Sequence, residues 1–577
     1  MPASDNAGRL CSMSRILQLC LCGGLAAWAA GCAAPQGAAL SSPKASPGKV
    51  GSRRPPIKAR SEPDHTAAHA RYAMAVINEL NGETEAALAD FYKAAWDDPS
   101  NEWLVLEVSR RLIQHKRLDR AAEVLSRAAA LPDSTGHVLA RLAMVYSQLG
   151  RLPESQKAGR DAIRKAPATL AGYQSLFVNF MQAKQHPDAL ATLNAAAKAP
   201  NPAPDFLVGL SELHVSYGLQ VAADKETVNA TALALLKRAR GLDPTDAPLK
   251  LKLADGFSML GQGDTAAELY NELLAKTSDL PALQESVHAK LANIYLRSSN
   301  KEKAAEQLKA LLKSDPTNPQ PYYFLGHLAL DQQKTADAVD YFSKTIVLSP
   351  DFEQAYYEMA NAQLVLDKPL DALNTLEKAR EKFAAGFAME FFSAIASTRL
   401  KDYDRALRHF TAAEVIANAT DPKRLNHFFH FQLGIAYEQK KEHEQAAKAF
   451  EKSLELSPDF TDAMNYLGYM WADLGTNLDK AVLLLEKAVK AEPKNAAYLD
   501  SLGWACFKLN RLPEALEHVA KAVELSEEPD AVLFDHLGDI LATMGRMEKA
   551  VEAWEKSLKV ETKDEVKRKI EKARPNP

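Results

Sequence analysis

The sequence predicts an all-α protein, a solenoid of about fourteen helical hairpins, and three observations carry that prediction. Fourteen small residues, thirteen alanines and one serine from Ala87 and Ala121 through Ser155 and Ala338 to Ala515 and Ala550, stand in register, and eight of the thirteen intervals between them are 34 residues. A residue without bulk at that period marks where the second helix of a hairpin crosses the first, and a 34-residue repeat is the length of one such unit. Twelve positions earlier a second small residue recurs (Ala75, Ala143, Ala254, Gly326, Ala360, Gly434, Gly503, Gly538), thirteen earlier at Gly468, with Phe177 as the exception. Prolines at 99, 167, 244, 316, 350, 458 and 493 follow the second helices, because a ring without an N–H cannot continue the helical ladder.

Taken in chain order, the first element is an apolar stretch, Ile16 to Ala30, that ends at Ala29-Ala30-Gly31-Cys32. It falls short of the roughly 20 residues that span a bilayer, and its basic start and small-residue boundary predict a cleaved signal over residues 1–31. Residues 32–67 are rich in Pro, Ser, Ala and Gly and carry six basic residues between Lys44 and Arg60, a composition that buries no core. They are expected to form a disordered tether. The repeat occupies 68–564, and 565–577 is read as a capping helix and tail. Large apolar residues such as Phe91, Tyr146, Tyr295, Phe342, Phe450 and Trp554 sit at helical spacing around the small positions and form the expected buried stripe.

These units resemble the tetratricopeptide repeats (TPR), most clearly in Tyr466-Leu467-Gly468-Tyr469 through Glu492-Pro493, Leu502-Gly503-Trp504 through Ala522, and Leu537-Gly538 through Ser557. The resemblance implies a right-handed superhelical solenoid that binds protein partners on the concave face of its first helices. The small-small-Cys boundary resembles the lipobox of bacterial lipoproteins, which implies lipidation of Cys32. An anchored protein of the cell envelope follows, on the outer membrane and facing the periplasm. The whole is similar to the TPR lipoprotein adaptors that bring substrates to carboxy-terminal processing proteases; the alternative is an assembly factor of a secretion, pilus or polysaccharide-export machine.

Composition narrows the chemistry. A net charge of −4 with no basic block among the repeats argues against nucleic acid as a partner. No HExxH, paired CxxC, Walker loop or GxSxG elbow occurs, and Gly261-Gln262-Gly263 lacks the third glycine of a dinucleotide loop. A non-enzyme without cofactor or metal is expected. His427 and His430 share a helix face but have no third ligand at good spacing. Once the leader is removed only Cys32 and Cys506 remain, so no internal disulfide is expected and Cys506 is read as a structural thiol.

The TPR resemblance also assigns the groove. Its second, fifth, ninth and twelfth positions face the concave side, which places Tyr323, Tyr357, Phe391 and Phe431 at successive fifth positions, with His327 and Asn361 at neighbouring ninth positions. This aromatic ladder is the expected partner contact, since rigid amphipathic rings dominate such interfaces. Asp500, Asp535 and Asp539 are expected to make the C-terminal groove acidic and suited to a basic or amino-terminal segment. The paired lysine and asparagine of the family's carboxylate clamp are not reproduced.

Overall fold

The computed structural model describes residues 64–574, and within them every regular element is helical. Twenty-nine α-helices run from His65–Leu80 to Asp564–Ala573, forming fourteen consecutive hairpins and one closing helix. The residues divide into two compact units, up to Ser314 and from Asp315 onward, with seven hairpins in each. The signal, Cys32 and most of the tether lie outside the described residues.

Local chemistry sets the limits of each hairpin. Eight of the fourteen first helices open on polar caps. The side chains of Asn101, Thr135, Asp246, Asn426 and Asp530 accept hydrogen bonds from backbone N–H groups two or three residues on, satisfying donors that the helix itself leaves free. Most second helices have no such cap, because the turn before them is too tight to need a separate start. At that turn one residue takes a left-handed conformation, as in Gly82, Lys116, Gly150, Lys184, Gln333, Lys401 and Gly545. Its N–H bonds back to the first helix, as Gly150 N does to Ser147 O at 3.0 Å.

The two small positions have a steric cause. A Cβ built on Gly326 would lie 2.5 Å from the Phe342 ring, on Gly434 2.6 Å from Phe450, on Gly503 2.4 Å from Val519, and on Gly538 2.3 Å from the Trp554 indole. In each case the large partner stands sixteen residues downstream on the second helix of the same hairpin. The marker alanines, Ala121, Ala338, Ala446 and Ala550 among them, are fully buried on the opposite side of that crossing. Ser155 is the polar member of the series, and its hydroxyl donates to Ala143 O at 2.6 Å, so the buried group is satisfied without cost in shape.

In the C-terminal unit two of the first helices are buried on nearly every side. Met389 to Ser397 and Ala497 to Cys506 are unbroken runs of buried residues. Each of these helices lies between its own second helix and the first helices on either side, so its polar members, Glu390 and Asp500 among them, are buried with the rest. One continuous cluster runs from Tyr356 to Ala481 through Phe391, Phe410, Phe429 and Phe450.

Candidate functional site

The groove residues assigned from the sequence are parted by packing. Phe391 and Phe431 are each 4 % exposed and belong to the central cluster. Phe391 stacks on Phe387 at 5.5 Å and meets Phe429 at 5.8 Å; Phe431 meets Phe450, Phe460 and Tyr466 within 6 Å. These two rings fill the space between adjacent hairpins and are not a contact surface. Tyr357 is likewise buried, with its hydroxyl donating to Glu353 at 2.6 Å. The reason is the neighbourhood: Phe387, Phe392, Phe428 and Phe429 crowd the same helices, so the fifth positions here are enclosed by rings from both sides.

Tyr323 and His327 are the exception. They lie one turn apart on helix Pro319–Asp331, both only partly buried, with the imidazole edge against the phenol ring at 4.6 Å and against Phe342 at 5.4 Å. Burial drives the His327 pKa down to about 4, so the ring is neutral at neutral pH, and pushes the Tyr323 phenol well above its ordinary range. Across from them, helix Glu353–Val365 presents Glu358 and Asn361. His327 Nε2 stands 4.0 Å from Glu358 Oε1, beyond hydrogen-bond range. Asn361 Oδ1 is buried without a partner. Sequence reasoning passed over Glu358, since only the fold buries it.

The predicted acidic groove is neutralised from within. Asp500 is buried and accepts from His536 Nδ1 at 2.9 and 3.1 Å, while the His536 ring stacks on Trp504 at 4.0 Å. Burial alone would lower the His536 pKa, but the Asp500 carboxylate beside it outweighs that and raises it. Asp535 and Asp539 share Lys569 Nζ, 2.7 Å from a carboxylate oxygen of each, and Asp539 also accepts from Trp554 Nε1 at 3.1 Å. The three aspartates are therefore bound to partners of the chain itself and are not an open acidic face. Lys569 lies 34 residues after Asp535, so continuing the repeat by one more unit could have found it. A comparable internal network holds Glu390, which burial would raise but which His409 at 2.6 Å and Arg380 bring below the ordinary carboxylate range.

The remaining candidates are structural in their contacts. His427 packs edge-on to Phe460 at 5.0 Å and His430 against Phe429 at 5.4 Å. Among the described residues no group of three potential ligands gathers around a metal position. Cys506 is a buried free thiol, and desolvation lifts its pKa to about 11. Gly261, at φ +77°, is the turn residue of its hairpin.

Comparison with known proteins agrees with this architecture. Residues 278–563 match the profile of a tetratricopeptide repeat family. A TPR repeat-containing protein of Pseudomonas aeruginosa is 28 % identical over 218 residues, which cover 38 % of this chain and 36 % of that protein. The type IV pilus assembly protein PilF of the same organism is 28 % identical over 134 residues, 23 % of this chain and 52 % of PilF. The chain thus matches between about a third and a half of the length of these relatives. Among solved structures, a tetratricopeptide repeat protein from Parabacteroides merdae is 16 % identical with a TM-score of 0.35, covering 44 % of this chain and 98 % of that one.

Proposed function

The chain is a tetratricopeptide-repeat protein, a member of a family that generally mediates contacts between proteins, and from that premise we propose that it is a non-catalytic scaffold of the bacterial envelope. In this reading it is held at the membrane by lipid on Cys32, and its hairpins gather protein partners, bringing substrates to a protease. The observation that carries the reading is the pairing of fourteen binding-type repeats with the Ala29-Ala30-Gly31-Cys32 boundary behind an apolar stretch.

Two measurements test it. Cys32→Ser should release the repeats from the membrane fraction or leave an unprocessed precursor; unchanged fractionation and processing overturns the anchor. Affinity capture of the detergent-extracted protein should recover a protease together with its substrates. Recovery of pilus or pore components favours the second reading, an assembly factor, which the local similarity to PilF supports. Capture of neither sinks both.

A further inference from the structure

The first helix of the array leaves open an apolar face that later first helices bury. On His65–Leu80, Met74 is 52 % exposed, Ile77 51 % and Leu80 81 %. In following hairpins Val108, Leu142 and Leu502 stand at the position of Met74, and Val145, Ala396 and Ile540 at that of Ile77, and all six are buried. The cover comes from the hairpin before: Leu88 and Phe91 of the first hairpin cluster with Val105 and Val108 of the second. The first hairpin thus carries stacking residues with no described hairpin stacked on them. The C-terminal end of the array is finished differently. Helix Asp564–Ala573 buries Val566 in one cluster with Leu541 and Trp554 and leaves Glu565, Arg568, Glu571 and Lys572 exposed, the polar outer face of a cap.

The exposed stripe is Thr66, Ala70, Ala73, Met74, Ile77 and Leu80, with His69 at its edge. The charged groups of the same helix are engaged elsewhere, Arg71 with Asp97 and Glu79 with Arg111, so the stripe itself is uncharged. Along it the small residues, Ala70 and Ala73, come before the large ones, Met74 and Ile77. Laid antiparallel on itself about a point between 73 and 74, the helix sets Ala70 opposite Ile77 and Ala73 opposite Met74. Each large side chain then meets a small one, as close packing of two helices requires; parallel pairing would set large on large. Residues 32–63 of the same chain offer no comparable stripe. Their large apolar members, Leu40, Val50 and Ile57, stand seven or more residues apart, with Pro55 and Pro56 between the last two, whereas an apolar helix face repeats every three or four.

We propose that this face docks a second copy of the chain, first helix against first helix, antiparallel about a two-fold axis. The contact continues between two chains the stacking that joins hairpins within one, and it goes beyond the scaffold reading because it does not depend on what the repeats bind. A two-fold contact uses the same patch on both copies and closes on itself. With the C-terminal end of the array capped, assembly through hairpin ends stops at the pair. One helix face from each copy is a small interface beside the roughly 1,200–2,000 Å² of stable complexes, so the pair is expected to exchange with monomer at about micromolar concentration.

The test uses the full chain. In cells producing two differently tagged copies, a photoreactive benzophenone side chain in place of Met74 should link on illumination to residues 65–80 of the other copy. Sedimentation of the purified chain from about 1 to about 100 μM should show monomer passing into dimer. Ile77→Glu and Ala70→Lys should each weaken the pair at least about tenfold with the helical signal retained, while Val415→Glu, at an exposed position of helix Tyr403–Thr420, should not. An equimolar mixture of Ile77→Glu and Ala70→Lys should pair more tightly than either variant alone, because the antiparallel arrangement brings residue 70 of one copy to residue 77 of the other. A chain that stays monomeric, links that run into residues 1–63 of the same chain or into a different protein, or a mixture no tighter than its components overturns the proposal. The fractionation of Cys32→Ser and the capture of partners are read separately, so loss of this contact leaves the scaffold reading standing.

Discussion

Replacing Gly434 by alanine sets two effects of opposite sign against each other at one atom. Alanine in a helix interior is favoured over glycine by about 1 kcal/mol. The added Cβ, however, would sit 2.6 Å from both Cδ1 and Cε1 of Phe450. That ring is fully buried and pinned by Phe431 at 5.9 Å and Tyr466 at 6.0 Å, so it has no free direction in which to retreat. Overpacking of this kind costs about 1–3 kcal/mol, and with a ring that cannot move the steric term outweighs the helix gain, leaving a net loss of up to about 2 kcal/mol. Gly241 is the control: it ends helix Lys225–Gly241 and a Cβ there meets nothing within 4 Å, so Gly241→Ala should be neutral or stabilise by a few tenths to about 1 kcal/mol. Phe450→Leu should remove part of the clash, and the double variant should be less damaged than the two single losses added together. Because a repeat array need not unfold in one step, the assay is urea unfolding followed by circular dichroism, with amide hydrogen exchange resolving the hairpin around residues 427–456. A Gly434→Ala protein as stable as Gly241→Ala, or additive behaviour with Phe450→Leu, would refute the steric account of the small positions.

The remaining predictions concern the core, a buried ion pair and the thiol. Phe391→Ala should lower stability by about 3–5 kcal/mol and broaden exchange across residues 353–439; intact stability with lost partner capture would return the ring to the surface. For His536 the folded pKa is raised above the ordinary 6.5, so its contribution is complete below that value and is lost as pH rises through the folded pKa. His536→Gln should therefore flatten the decline of the urea midpoint on the alkaline side of neutrality, and a wild-type midpoint unchanged from about pH 6 to about pH 9 would contradict the charged pair. With its thiol pushed up to about 11 and buried, Cys506 should react with iodoacetamide only in denaturant, and reductant should not shift the melting curve; rapid labelling of the native chain would speak against that burial.

The register was legible because it is written twice in each unit. A small residue, a large one sixteen positions later and an alanine between them encode a crossing that one hairpin makes with itself, as Gly434, Ala446 and Phe450 do. Such contacts are short in sequence, so spacing alone reports them, and the same holds for the proline stops and the turn residues. The groove was not legible in that way. Tyr323, Tyr357, Phe391 and Phe431 share one register position, yet only Tyr323 keeps an open edge, because exposure depends on what the neighbouring first helices carry: Phe428 and Phe429 close over Phe391, while His327 leaves Tyr323 partly uncovered. The same position holds an aspartate at 500 and 535, and whether that charge faces solvent was decided by His536 and Lys569 from the next unit along. Sequence by itself determined the helices, their hairpins and their period, which follow from steric rules acting within about 34 residues. Tertiary stacking alone decided which side chains are enclosed, which charges are paired and that Glu358 is buried without a donor, because burial is a property of adjacent units packed together and desolvation has no signature in the spacing of residues.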